Sequence, residues 1–289
     1  MRNRFVRAGA AAVLLLATCN FFAADAGNTP PPPSAPAAET PKAPDKHPVP
    51  QAQPQKDNAN EKEIQAAVKQ LAASDPVAVD SAKQKLKGFG ASAAGALVDA
   101  LEDEQPALQK NAAEVLKELG SAAKDKAWEL SLLLDNDNKP ARKLAASVLE
   151  KLGPQGIEVA TQVADYLTNY EPSVRAMAAN ILHRMGPAAA PETASDLVDL
   201  LTHKDKGIRS LAMSVLVSWG AAVKECTEEL ANILANNPND ADARLKAATV
   251  LGAIGPDAKA ALETLKKSKD DSDKLVKAAV EAAIQKIEK

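Results

Sequence analysis

Cysteine and aromatic residues are scarce in this sequence of 289 residues. It contains two cysteines, and aromatic residues make up 3% of the chain. Only Cys226 lies beyond the first 26 residues, so that part of the chain cannot form an internal disulfide. Cys226 shares a helical stripe with Leu230, Ile233 and Leu234, which predicts a small buried hydrophobic side chain. A disulfide-stapled scaffold is therefore excluded.

Histidine is equally rare, and its positions exclude the usual metal-binding patterns. The three histidines are His47, His183 and His203, and no two of them have the spacing of metal ligands. No nucleophile, base and acid stand in a recognisable catalytic arrangement either. The sequence therefore predicts no catalytic residue, no cofactor and no metal site.

The sequence has no excess of positive charge. The formal net charge is −3, and removal of residues 1–26, with three arginines and one aspartate, changes it to −5. Lysine and glutamate are interleaved along the chain instead of forming blocks. This pattern does not favour binding to nucleic acid or to anionic lipid.

The first 26 residues have the pattern of a secretory signal peptide. Three arginines precede an apolar run over residues 8–17, and the small residues Ala24-Asp25-Ala26 follow as a cleavage site. The apolar run is too short for a typical membrane span. We expect cleavage after Ala26 and export to the periplasm or the extracellular space.

A second interpretation of this segment uses Cys19. The stretch Leu16-Ala17-Thr18-Cys19 resembles a bacterial lipoprotein box, in which Cys19 would be lipidated, although threonine is unusual before that cysteine. The protein would then be a membrane-anchored lipoprotein. Association with a membrane is expected in this case alone.

Residues 27–60 form a proline-rich segment. They hold ten of the nineteen prolines and no leucine, isoleucine, phenylalanine or tryptophan. Such a composition cannot bury a core, and it predicts a disordered linker with polyproline II character, about 100 Å in contour length. A tether for the following domain and a dispensable tail are both compatible with this composition.

Residues 61–289 repeat a unit of about 33 residues with helical periodicity and no strand pattern. Each unit has a glycine that ends a helix, a leucine four residues earlier and an alanine eight residues earlier. The spacings between successive glycines are 30 to 35 residues, the size of a helix pair, and the glycines are Gly90, Gly120, Gly153, Gly186, Gly220 and Gly255. The last segment, residues 272–289, matches only one helix of a unit, as a solenoid cap should.

An arginine stands eleven residues before the glycine in the last four units. These residues are Arg142, Arg175, Arg209 and Arg244. Together with the alanine, the leucine and the glycine-proline break, this pattern resembles the HEAT-like repeat family, which has bilin-lyase-type and armadillo relatives. The resemblance covers residues 61–289 and implies an all-α, right-handed solenoid of about six helix pairs plus a C-terminal capping helix. It also implies a structural ladder in which these arginines reach acidic or carbonyl groups of neighbouring turns, with Asp135, Asp205 and Asp240 as candidates.

The resemblance implies two classes of function. The first is a non-enzymatic scaffold that binds another protein on the concave face of the solenoid. The alternative is an accessory lyase-type or chromophore-modifying or partner-modifying protein, like the bilin-lyase-type relatives. Some HEAT-like oxygenases bind iron through repeated His-Glu pairs, but here Pro48, Arg184 and Lys204 follow the histidines. That activity is therefore not expected.

The residues ten, six and three positions before each glycine form a surface that we call the first-helix face, and the resemblance places it on the concave side. Early units carry charges there, whereas the later units are small, neutral or apolar. Loss of charge is typical of the centre of an interface. We therefore predict a partner-binding surface at Asn180, His183, Ser210, Ser214, Val217, Leu245, Thr249 and Gly252. Tighter packing between the late units would give the same pattern.

The N-terminal assignment can be tested directly. Fractionation of the source cells should place the protein outside the cytoplasm, and mass spectrometry should identify Gly27 as the first residue, because cleavage follows Ala26. An acylated Cys19 would establish the lipoprotein instead.

Overall fold

The computed structural model describes residues 54–289, with side chains described from residue 59. These residues form helices and turns, and no β-strand occurs between residues 54 and 289. The helices are α1 (Pro54–Gln70), α2 (Pro76–Phe89), α3 (Ala91–Asp99), α4 (Pro106–Leu119), α5 (Ala127–Leu132), α6 (Lys139–Leu152), α7 (Ala160–Asp165), α8 (Pro172–Met185), α9 (Ala190–Asp199), α10 (Lys206–Trp219), α11 (Thr227–Asn236), α12 (Ala241–Ile254), α13 (Leu262–Lys267) and α14 (Lys274–Ile287). The signal peptide with its two candidate processing sites, and the linker up to residue 53, lie outside the described residues.

The predicted repeat is confirmed. Helix α1 is followed by six pairs, each made of a first helix of 14 residues that ends at a glycine and a shorter second helix. The single helix α14 closes the described chain and has the length of a first helix. Each first helix packs along the first helix of the next pair, so the pairs stack in sequence order as an α-solenoid.

Local signals in the sequence set the ends of the first helices. Several begin with proline in the first turn, where its missing N–H is not needed, and α2 also has Asp75 as N-cap, which accepts hydrogen bonds from the backbone N–H groups of Val77 and Ala78. The six glycines that end these helices all have positive φ, between 52° and 72°. This conformation stops the helix and starts the turn towards the second helix.

The repeated alanine and leucine build the core. All twelve residues at these two positions have 0% exposure: Ala82, Ala112, Ala145, Ala178, Ala212, Ala247, Leu86, Leu116, Leu149, Leu182, Leu216 and Leu251. The alanine allows neighbouring helices to approach closely, and the leucine fills the space between them. Their invariance thus has a packing cause.

The two ends of the stack are closed by α1 and α14. Helix α1 buries Ile64, Ala67 and Val68 against the first pair, and Leu71, which directly follows the helix, is buried with them. Helix α14 buries one apolar face, while Lys277, Glu281 and Lys286 remain exposed, as expected of a cap.

The helical region begins earlier than the sequence pattern indicated. Helix α1 starts at Pro54, inside the segment 27–60 that we assigned to the linker. Pro54 is the last proline of that segment, and the residues after it are compatible with a helix. Counting prolines over the whole of residues 27–60 did not reveal that residues 55–60 contain none.

Two glycines with different surroundings can test whether the helix-ending position requires glycine. Gly153 has φ 53° and ψ −127°, and a Cβ there would lie 3.0 Å from the carbonyl oxygen of Arg184. We expect Gly153→Ala to cost at least about 1 kcal/mol of unfolding free energy, because an L-residue is strained in this region. At Gly88, inside α2, an added Cβ would meet no neighbouring atom within 4 Å, so Gly88→Ala should stabilise by about 0.5–1 kcal/mol through helix propensity.

Thermal and urea unfolding of the two variants would measure these effects. Equal shifts in the same direction for both variants would show that the glycine at the helix end is not conformationally required.

Candidate interaction surface

Part of the predicted surface is exposed in the structure. Asn180 on α8 and Ser210 on α10 are exposed, and Val217 on α10 is 37% exposed although it is apolar. Ser214 and Thr249 are half-buried. These residues therefore form a small uncharged area on the later units of the first-helix face.

His183 makes a specific contact between two units. Its Nδ1 lies 2.9 Å from the hydroxyl oxygen of Ser218, and its Nε2 lies 3.3 Å from that of Ser214. Both serine hydroxyls also lie within hydrogen-bond distance of carbonyl oxygens of their own helix, Ser218 of Val215 and Ser214 of Leu211. A serine that donates to its carbonyl offers its oxygen to a ring N–H, and the other serine can donate to the second ring nitrogen instead. Partial burial lowers the pKa of His183, which favours the neutral ring with one N–H. His183 thus ties α8 to α10.

Gly252 was wrongly assigned to the surface. It is buried, and a Cβ at this position would lie 3.1 Å from the Cα of Ala283 on α14. Leu245 is half-buried and packs against the core. At this end the absence of charge therefore reflects tight packing between α12 and the cap. The remaining residues, which we call the late-repeat surface, are Asn180, His183, Ser210, Ser214, Val217 and Thr249.

Two ion pairs join the first helices α2 and α4 in the early units. Lys83 on α2 lies 2.6 Å from Glu114 on α4, and Lys87 lies 2.8 Å from Glu118. The hydrogen bond from Lys83 lowers the pKa of Glu114. Lys83 and Glu118 lie outside the three positions that define the first-helix face, so the sequence pattern did not reveal these pairs.

The four arginines form the expected ladder between units. Arg142 donates two hydrogen bonds to Glu171, at 2.6 and 2.9 Å, and Glu171 is the N-cap residue of α8. Arg209 contacts Asp240, the N-cap of α12, at 2.6 Å. Each of these two arginines thus reaches the start of the first helix in the next unit.

The other two arginines contact both a backbone carbonyl and a carboxylate. Arg175 donates to the carbonyl oxygen of Asn169 at 2.9 Å and lies 3.8 Å from Asp205, the N-cap of α10. Arg244 binds both oxygens of Asp271, at 2.8 and 2.9 Å. This hydrogen bonding lowers the pKa of Asp271.

One acidic candidate of the ladder was wrong. Asp205 and Asp240 face arginines, but Asp135 accepts a hydrogen bond from the side-chain amide of Asn169, at 2.9 Å. Asp135 ends the 3₁₀ turn that follows the second helix α5, whereas Arg142 and Arg209 reach the starts of first helices. The residue that Arg142 contacts is Glu171, the N-cap of α8, which was not among the candidates.

Gln109 occupies the arginine position in the second pair. Its side-chain amide donates to the carbonyl oxygens of Leu101 and Asp103, at 3.0 and 2.7 Å. It therefore donates hydrogen bonds to carbonyl oxygens of the turn before its own helix, as Arg175 and Arg244 do. As a neutral and shorter side chain, it does not extend the charged ladder towards α6.

Two further expectations concern reactive groups and membranes. Cys226 is buried at 7% exposure, and this burial raises the pKa of its thiol, so it is a core residue as predicted. Within residues 54–289, no group of three or more histidine, cysteine, aspartate or glutamate side chains could hold a metal ion. None of the helices described is both long and apolar enough to span a bilayer.

The stacked helix pairs and the buried alanine and leucine positions define an α-solenoid. Comparison with known proteins specifies its repeat, because residues 127–217 match the family model described as HEAT repeats. The resemblance to HEAT-like repeats is thus confirmed over residues 127–217. No curated protein matches it.

Solved structures of helical-repeat proteins are also similar. The archaeal HEAT-like repeats protein from Thermococcus onnurineus NA1 is 10% identical, with 78% of this chain and 97% of that chain covered and a TM-score of 0.44. Human deoxyhypusine hydroxylase in complex with glycerol is 20% identical, with 81% and 99% covered and a TM-score of 0.33. Karyopherin Kap121p bound to the extreme C-terminus of the protein phosphatase Cdc14p is 13% identical, with 80% and 30% covered and a TM-score of 0.43. At these TM-scores the likenesses carry no argument about function.

The arginine ladder can be tested at its most enclosed pair. The side chains of Arg244 and Asp271 are 7% and 10% exposed, so Arg244→Met would leave a carboxylate and two turn carbonyls without their donor. We expect a loss of about 3 kcal/mol of unfolding free energy. Adding Asp271→Asn should restore part of it, because the unpaired charge is removed.

The matched control is Lys267→Met, which breaks an ion pair whose side chains are 75% and 80% exposed. This change should have little effect on urea unfolding. Equal destabilisation by Arg244→Met and Lys267→Met would contradict a structural role for the ladder.

Proposed function

We propose that this protein is an exported, non-enzymatic scaffold that binds a partner protein through the late-repeat surface. The supporting observation is that Ser210 and Val217 are exposed on the first-helix face of α10, and the three positions of that face on α10 carry no charge. Small neutral groups lose little hydration free energy when a partner covers them.

The shape of the stack supports the same proposal. Side chains from α8, α10 and α12 lie side by side on one face, since the first helices pack in sequence order. A partner can therefore contact several units at once, which is the common use of an extended repeat surface. The contact of His183 with Ser214 and Ser218 holds two of these helices in a fixed relation before binding.

Charge placed on this surface should abolish binding. In the full chain carrying an affinity tag, Ser210→Glu combined with Val217→Glu should reduce a stoichiometric co-purifying protein at least tenfold. The reason is that two carboxylates would be buried without partners. Quantitative mass spectrometry of complexes from the source cells measures this loss.

The matched control is Val77→Glu combined with Ser92→Glu, since both residues are exposed and lie in the first pair. Circular dichroism should be unchanged in both double variants. Equal loss of the partner in both would count against the late-repeat surface. A coloured ligand bound in stoichiometric amount would instead favour the accessory lyase-type alternative.

A further inference from the structure

The groove between α4 and α6 contains two cavities that follow one another along the helices. The first, of about 380 Å³, lies at the N-terminal ends and is lined by residues such as Lys110, Lys139 and Lys143. The second, of about 470 Å³, is lined by Lys117 of α4 and by Ser147, Glu150 and Lys151 of α6, and Arg184 of α8 closes one side of it. Lys143 and Ser147 are one helical turn apart, so the cavities belong to the same groove.

Positive charge is concentrated in this groove. Within residues 59–289, its walls carry six cationic side chains and a single carboxylate, that of Glu150. Among these described side chains, none of the six lies in an ion pair; the pairs of the first helices involve other residues, such as Lys83 and Lys87. The excess is notable because the whole chain has a net charge of −3.

The arrangement of α4 explains why this groove is not neutralised. Glu114 and Glu118 on α4 are bound to lysines of α2, at 2.6 and 2.8 Å. Lys110 and Lys117 of the same helix line the groove on the α6 side. The α2–α4 contact therefore uses the carboxylates of α4, and its lysines are left for a ligand.

The groove also offers apolar surface. Pro106, Pro140 and Leu144 line the first cavity together with the aliphatic parts of the lysines. Pro106 and Pro140 are exposed, and Leu144 is half-buried. An apolar side chain of a ligand could therefore be covered here while the lysine ammonium groups remain at the rim.

We propose that the α4–α6 groove binds an acidic peptide segment of a partner protein that carries an apolar anchor residue. Lys110 and Lys117 are seven residues apart, about 10 Å along α4, which matches two turns of a bound helix or a short extended segment. In the part of the chain that the structure describes, no aromatic side chain lines either cavity, so stacking of nucleic acid bases has no platform. The negative charge of the rest of the chain also opposes a long polyanion.

This groove lies outside the late-repeat surface and shares no residue with it. The scaffold proposal can thus fail while the groove binds its peptide, and the reverse also holds.

The test measures binding of a defined probe to the full chain. A fluorescein-labelled synthetic peptide, EELLEEALEE, should bind in fluorescence anisotropy, and its Kd should rise with salt concentration because the contacts are ionic. Lys110→Glu combined with Lys143→Glu should weaken binding at least tenfold by reversing the charge of the rim. Replacing the leucines of the probe with serine should also weaken it, which tests the apolar part without disturbing Leu144.

The matched control is Lys204→Glu combined with Lys224→Glu, which changes the net charge by the same amount at exposed sites away from the groove. This control, and Ser210→Glu combined with Val217→Glu, should leave the Kd of the probe unchanged. Equal weakening by both lysine pairs would overturn the proposal, as would no binding at low salt. Displacement of the probe by double-stranded RNA at lower concentration than by unlabelled peptide would identify a nucleic-acid surface instead and also overturn it.

Discussion

Burial of the first-helix stripe against the neighbouring unit is the interaction on which the rest of the structure depends. An isolated helix pair would leave the alanine and leucine side chains of its first helix in water. In the stack they have 0% exposure in all six pairs. Stability therefore arises between units, and the terminal helices α1 and α14 are needed because the outermost pairs would otherwise expose the same stripe.

The arginine ladder adds polar contacts between units to this apolar packing. Apolar contacts define how closely two helices approach, but they permit sliding along the helix axis. The contact of Arg142 with the N-cap Glu171, and of Arg209 with the N-cap Asp240, fixes where the next first helix begins. Because these side chains are largely buried, replacing one partner is costly, although the pair itself need not add much net stability. What the structure shows is that these contacts link a unit to the start of the first helix in the next unit.

The sequence predicted the repeat well because a position that packs in the core of every unit keeps the same residue type at a regular spacing. The alanine, leucine and glycine positions are such cases. The surface was harder to predict, since its residues depend on what the adjacent helix presents. Gly252 looked like an uncharged surface position, but Ala283 of the cap covers it. Asp135 was predicted to be a ladder residue, but the ladder contacts of Arg142 and Arg209 are made at helix starts. Asp135 lies at the end of a short 3₁₀ turn instead.

The same dependence on neighbours determines where a ligand can bind. Lysines are numerous on the first helices, and counting them along the chain shows only an interleaved, mildly acidic protein. In the structure, the carboxylates of α4 pair with lysines of α2. The groove between α2 and α4 is therefore neutralised, whereas the groove between α4 and α6 keeps an excess of lysines. The next grooves differ again, because at the contact between α8 and α10 His183 and two serines stand at the positions that ion-paired residues occupy between α2 and α4. Since the core positions are fixed by stacking, the residues at these inter-helix surfaces can change from one groove to the next without loss of the fold.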